Sequence, residues 1–364
     1  MSARPHYATL DMLRGIAAIV VVLLHAVAPF DQSLANITPH GQLAVDFFFC
    51  LSGFVIAHAY ERKLLTVMLC REFVAARLIR LYPLALIGLL IGVGVYALRT
   101  WSIHHQNPFT PAFFLTFTFE TLMLPFPPIM GESWPLIMPF DPPTWTLFFE
   151  FLANFIYAYF VARLSNRHIK VLLFVAAVAV FVQAHSLGEV EGGYKWDALW
   201  QGISRVAFPF LCGLFLYRSH VCRNASMPPK SKPWLAFVLL GALVCPMPQS
   251  IKWIYESSVV VFLFPLLIAA GANDSPPPRL HNVYLLFGRL SFPVYILSYP
   301  LIKPFSFFAR YHGAEGLYLW GIVIIEVLTA IAISFVILKL YDEPVRAWLS
   351  RKQRARKNTV LLPL

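Results

Sequence analysis

Residues 10–25 read Leu-Asp-Met-Leu-Arg-Gly-Ile-Ala-Ala-Ile-Val-Val-Val-Leu-Leu-His, with Asp11, Arg14 and His25 as the only ionisable side chains in the run. As a helix, the eleven residues from Arg14 to His25 turn through about 1100°, three turns plus roughly 20°, and rise about 16 Å. Asp11, one turn before Arg14, joins the same face. A guanidinium and an imidazole on a membrane-type helix are costly, so they are functional candidates by default.

Composition extends this reading to the whole chain. Of 364 residues, 59% are hydrophobic and only 13% charged; a soluble domain is nearer about 25% charged. Apolar runs recur throughout, which indicates an all-α, polytopic transmembrane helix bundle. Cys50, Cys70, Cys212, Cys222 and Cys245 are scattered, with neither metal spacing nor a disulfide framework. A net charge of +11 is not a nucleic-acid signal here, because the basic residues lie between apolar runs and in the tail.

Ten spans are expected near residues 12–30, 42–60, 82–99, 144–162, 170–187, 201–217, 233–249, 253–271, 284–308 and 317–340. Alternating sides puts nineteen Lys and Arg on one side, among them Arg62, Arg163, Arg218, Arg279 and Arg346, against Arg99, Lys195, Lys252 and Arg310 on the other. The positive-inside rule then places both termini in the cytoplasm. Residues 112–128 are apolar enough to span, but counting them would invert every later loop. They are read as a re-entrant or interfacial helix in the outer loop 100–143, which otherwise has no Lys or Arg.

Arg4, the Gly15–Leu24 run and Ala26-Val27-Ala28 imitate a signal peptide, but Asp11 and Arg14 abut the apolar core and Pro29 hinders cleavage. No internal repeat is visible, so the inverted-repeat signature of many transporters is missing. Residues 1–345 form one membrane domain. Residues 346–364 form a basic cytoplasmic tail, expected to be frayed and to meet anionic lipid. Asp342-Glu343-Pro344 is expected to end the last span.

By depth, the intramembrane groups sort into two layers. His25, Asp46, Glu150 and Glu326 fall toward the outer side; Arg14, Arg77 and Arg80 fall toward the inner. His25 suits a general base, since an imidazole needs only a modest shift to accept a hydroxyl proton near neutral pH. Asp46 or Glu150 would orient the ring. The bland alternative is a histidine that packs between helices. Arg77 and Arg80, three apart, share a helix face, and guanidinium forks suit phosphate; alone, such a pair more often anchors a helix to the cytoplasmic face. Arg14 either holds a ligand or pairs with Asp11. Ser52-Gly53 reads as close packing of small residues. His58, His104, His105, His185 and His220 have no evident partner in the sequence.

These residues, in this order, resemble the acyltransferase 3 family of integral membrane acyltransferases. The likeness rests on Leu10 to Ala18 followed by His25, Val45 to Phe54, Arg77-Leu78-Ile79-Arg80-Leu81-Tyr82-Pro83, Trp145 to Glu150, Gly288 to Tyr295, and Tyr341 to Pro344. It covers nearly the whole chain. The family implies ten spans, an acyl-CoA donor, usually acetyl-CoA, and transfer to carbohydrate hydroxyls of envelope or exported glycans. Its first-span arginine and histidine map to Arg14 and His25, and its R-x-x-R to Arg77 and Arg80. Two departures stand out. Ser298 occupies a position where members often carry histidine, and Glu150 stands alone where an acidic pair is common. No appended soluble catalytic domain is expected after span ten.

The sequence therefore reads as a bacterial-type inner-membrane O-acyltransferase, with His25, Asp46 and Glu150 catalytic and Arg14, Arg77 and Arg80 holding the acyl-CoA. Its partners would be acyl-CoA, a glycan acceptor and membrane lipid, with no metal and no nucleic acid. His25 would act as base or as a covalent acyl carrier. The competing reading is a proton-coupled transporter that uses His25, Asp46, Glu150 and Glu326 as a relay.

Overall fold

The computed structural model describes residues 6–30, 37–128, 136–219 and 232–360. His220 and Cys222, Arg4 of the signal-peptide reading, and Arg223 and Lys230 of the charge count lie outside these. Thirteen α-helices make up the described fold: α1 (Ala8–Val27), α2 (Ala44–Thr66), α3 (Cys70–His104), α4 (Pro111–Thr121), α5 (Trp145–Tyr159), α6 (Asn166–Leu187), α7 (Leu199–Arg218), α8 (Trp234–Val244), α9 (Gln249–Ser258), α10 (Phe264–Ala272), α11 (His281–Tyr311), α12 (Gly316–Ile337) and α13 (Glu343–Val360). Among the described residues there is no strand, only an isolated bridge between Leu136 and Lys195.

Each of the ten expected spans coincides with a helix. Eight helical stretches are long and apolar enough to cross a membrane. The fourth and seventh spans, α5 and α8, are shorter, with 15 and 11 residues, or about 22 and 16 Å. A five-residue π turn, Val259–Leu263, joins α9 to α10. A second, Leu338–Asp342, joins α12 to α13. Asp342-Glu343-Pro344 therefore does not end the helix: Pro344 falls at the start of α13, and a π turn tolerates a residue with no N–H to give. The segment after Leu349, expected to fray, continues as helix to Val360, and the Gln353 amide reaches the Glu72 carbonyl at 3.3 Å.

Side-chain networks tie each end of the bundle together. At one end Arg218 donates to Glu61 (2.8 Å) and to the carbonyls of Leu164 (2.7 Å) and Ala162 (3.0 Å). Asp274 there accepts from Thr9 (2.6 Å) and from the Lys232 backbone (2.8 Å). This is the end that carries the basic loops. At the other, Glu256 accepts from the Val190 backbone (2.6 Å) and Gln42 (2.9 Å) and meets His40 at 2.7 Å.

The segment 112–128 enters and leaves on one side. Thr110 caps α4 by accepting from Phe113 N at 3.2 Å, with Pro111 in its first turn. Phe113 stacks on Tyr96, and at the far end of α4 the Tyr82 hydroxyl donates to Thr121 O at 2.9 Å. Tyr82 lies fourteen residues nearer the basic end of α3 than Tyr96, about 21 Å. The chain then turns at Met123, in the left-handed region at φ 54. It climbs back to Phe126, whose carbonyl accepts from the Trp196 indole.

Helix contact is closest where side chains vanish. A Cβ on Gly53 would strike the Phe210 carbonyl, and one on Gly213 the Cys50 carbonyl, so α2 and α7 touch backbone to backbone, as Ser52-Gly53 suggested. A Cβ on Gly288 would strike Asp11, which fixes α11 against the start of α1. Phe174, Phe237, Leu266 and Leu328 point outward from the bundle, toward lipid.

Candidate active site

Arg14 is held from three directions. It pairs with Asp11 at 3.1 Å, its Nε donates to Ser291 Oγ at 2.7 Å, and an Nη donates to the Gly288 carbonyl. The missing side chain at Gly288 is what lets α11 present that carbonyl. Pairing with Asp11 and a place in a site are thus combined, because Arg14 also lines two adjoining cavities.

The inner cavity, about 110 Å³, is walled by Arg14, Phe48, Ser52, Arg80, Glu150 and Tyr295 among others. The second, about 430 Å³, lies toward the basic end and is lined by Arg14, His58, Arg80, Arg289, Glu343 and Arg346 among others. Arg14, Arg80, Leu51, Val55 and Phe292 belong to both walls, so the two form one passage into the bundle. Arg80 makes no hydrogen bond or ion pair with any described residue. A guanidinium that lines both chambers without a partner is equipped to take an anion.

Arg77 differs. It is 3% exposed, and its Nη2 binds Glu150 Oε1 at 2.5 Å, an oxygen that also accepts from Ser52 at 2.8 Å. The expectation of two layers, carboxylates outside and guanidinium groups inside, is corrected here: Arg77 and Glu150 meet in the wall of the inner cavity. The physical reason is that neither charge is cheap in a bundle interior, and each neutralises the other.

Asp46 is also spoken for. It is fully buried, and Arg205 grips it with two bonds, Nη2 to Oδ2 at 2.6 Å and Nε to Oδ1 at 3.2 Å. The same guanidinium donates to Gln42 O at 2.9 Å and Gly192 O at 3.1 Å, and lies over the Trp145 ring. Arg205 was missed in the sequence, although a lone arginine inside the span 201–217 is itself a signal of a paired buried charge.

His25 meets neither carboxylate among the described residues. Its ring stands edge-on to Tyr299 at 5.3 Å, and the Lys303 ammonium sits over the other side chain of that pair, 4.4 Å from the Tyr299 centroid. The expected orientation of His25 by Asp46 or Glu150 is therefore corrected. Glu326 is fully buried in α12 with both oxygens free of hydrogen bonds, and Lys303 is the charge that acts on it. His25 lines neither cavity. It stands beside Tyr299, one turn of α11 beyond Tyr295, which closes the inner cavity and bonds Thr146 at 2.9 Å.

A family model described as "Acyltransferase domain", acyltransferase 3, matches residues 7–339. The chain belongs to the acyltransferase 3 family. It is a multi-pass membrane acyltransferase, and it acts between an acyl donor and an acceptor within reach of lipid. It is 34% identical over 195 residues, half of its own length and 98% of the relative's, to "Protein 2 in picA locus" of Rhizobium radiobacter. No solved structure matches it significantly. Membership sets aside the transporter reading. The expected relay is also broken geometrically, since arginines engage Asp46 and Glu150.

Within this family member, Ser298 is buried and donates to the Tyr295 carbonyl at 3.2 Å. The hydroxyl closes on its own helix. Among the described residues no three His, Cys, Asp or Glu gather as metal ligands.

Proposed function

We propose that the chain transfers an acyl group, acetyl foremost, from acyl-CoA to a carbohydrate hydroxyl of an envelope or exported glycan. The observation that carries this reading is the passage from the basic end to Tyr295, lined by Arg14 and Arg80 and ending one turn short of the His25–Tyr299 pair. The positive-inside rule turns that end toward the cytoplasm of a bacterial-type inner membrane, both termini included. The donor's phosphates stay near Arg80 and Arg14, and its extended thiol arm carries the thioester inward.

His25 takes the proton of the acceptor hydroxyl as that oxygen attacks the thioester carbonyl. The C–S bond then breaks, and the imidazolium returns the proton to the departing thiolate. In the covalent variant His25 first accepts the acyl group, releasing the thiol, and then passes it to the hydroxyl. Both routes require His25. Asp46 and Glu150 serve as positioning residues, one fixing Arg205 between α2, α7 and the loop at Gly192, the other fixing Arg77 in the cavity wall.

Mass spectrometry of envelope and secreted glycans from cells with and without the chain tests this. Acyl groups that depend on the chain and on His25 are expected. Identical glycans in the two strains, with the protein verified in the membrane, would refute it.

A further inference from the structure

The outer chamber carries more positive charge than an acyl chain or a thiol arm needs. Four arginines from four helices line it: Arg14 of α1, Arg80 of α3, Arg289 of α11 and Arg346 of α13. Among the described residues, only Asp11 and Glu343 oppose them on the same wall. Side-chain exposure rises outward, from 23% at Arg14 to 38% at Arg346 and 52% at Arg289, so the last two stand at the mouth.

There they are held by carboxylates of the π turn and of α13. Arg289 binds Glu343, which Lys339 also approaches at 3.2 Å, and Arg346 binds Asp342 at 3.0 Å. The Arg289–Glu343 pair is part-exposed on both sides, and such pairs contribute little to stability, whereas Asp342 is buried and stays with Arg346, whose remaining donors face the opening. A phosphate monoester, carrying about −1.5 to −2 charges and three acceptor oxygens at neutral pH, can displace such a carboxylate from a guanidinium fork. π turns of this type recur at functional sites, and this one sets Asp342, Glu343 and Arg346 around the opening.

We infer that Arg289 and Arg346 form a phosphate-monoester subsite at the mouth of the cavity, which selects a donor with a phosphorylated nucleotide end. The inference rests on the acyl-CoA reading above. The unpartnered Arg80 deeper in takes the diphosphate. Arg289 and Arg346 take the 3′-phosphate, with Glu343 as its competitor in the empty site.

The test uses the full chain in phosphatidylcholine nanodiscs and calorimetric titration with CoA and with 3′-dephospho-CoA. CoA is expected to bind at least about ten-fold more tightly, the scale of one lost charge-assisted contact. Arg289→Gln and Arg346→Gln should lower CoA affinity toward that of 3′-dephospho-CoA and leave the latter unchanged, which also shows that the variants are folded. Glu343→Gln should tighten CoA binding and not 3′-dephospho-CoA binding, the opposite of what loss of a structural ion pair would do. Equal affinities for the two ligands, or variants that weaken both alike, overturn the subsite and leave the acyl-CoA reading standing. No binding of either ligand overturns that reading and the subsite with it. Loss of the discrimination when phosphatidic acid is added to the discs assigns the mouth to lipid headgroups and overturns the inference.

Discussion

Arg77 and Glu150 form a 2.5 Å ion pair in the wall of the inner cavity, with Ser52 sharing the same carboxylate oxygen. This joins α3, α5 and α2 at one point, and it separates Arg77 from Arg80 in role although both belong to the same R-x-x-R.

The pair should show as stability. Arg77→Ala leaves Glu150, part-buried in the cavity wall, with only Ser52, and should cost about 3 kcal/mol, the lower end for breaking a buried pair. Arg77→Met combined with Glu150→Gln should recover much of that loss. Thermal unfolding in detergent would check it, and additive losses in the double variant would argue against the pairing.

Arg80→Ala should behave differently. With no described partner to lose, the variant is expected to unfold like the parent while its affinity for CoA falls roughly 10- to 150-fold, one charge-assisted phosphate contact. An unchanged CoA titration would return Arg80 to simple anchoring at the membrane face.

Asp46→Asn strips the carboxylate from Arg205, which keeps only its bonds to Gln42 O and Gly192 O. A destabilisation of about 3–5 kcal/mol is expected for an uncompensated buried guanidinium. Replacing both partners, as Asp46→Leu with Arg205→Met, should be milder. Equal losses for the single and double changes, read from yield and unfolding temperature, would contradict this role.

The side assignments yield to labelling. Single cysteines at the exposed positions Asp197 and Arg279, in a variant lacking the native cysteines, should react with an impermeant thiol reagent from opposite faces of the membrane, Asp197 from outside. Labelling of both from one face would overturn the alternation of spans and make residues 112–128 a true crossing.

Much of this architecture was legible in the sequence because a bilayer leaves a chain few options. Backbone polar groups must be satisfied within each segment, so the apolar runs located all ten helices. What the sequence could not give was which ionisable groups meet. Depth along each helix placed Glu150 with His25, yet its partner is Arg77 of α3, a pairing between helices that no spacing within either one encodes. Arg205 was hidden in a span read only for its apolar length. Tyr299 and Lys303, i and i+4 on α11, face His25 through a helix contact that no local pattern encodes. The early exit expected at Pro344 failed for a similar reason, since a π turn is not visible in composition.

Acyl transfer by His25→Gln in membranes, scored by glycan mass spectrometry at matched protein abundance, tests the central claim most directly. Glutamine keeps polarity and fills the space beside Tyr299, so a packing histidine would be largely rescued, but it can neither accept a proton near neutral pH nor carry an acyl group. A loss of at least about 100-fold is expected, the scale that general-base catalysis supplies, with abundance and CoA affinity unchanged. Near-normal transfer by the variant would contradict the assignment of His25 as base or acyl carrier.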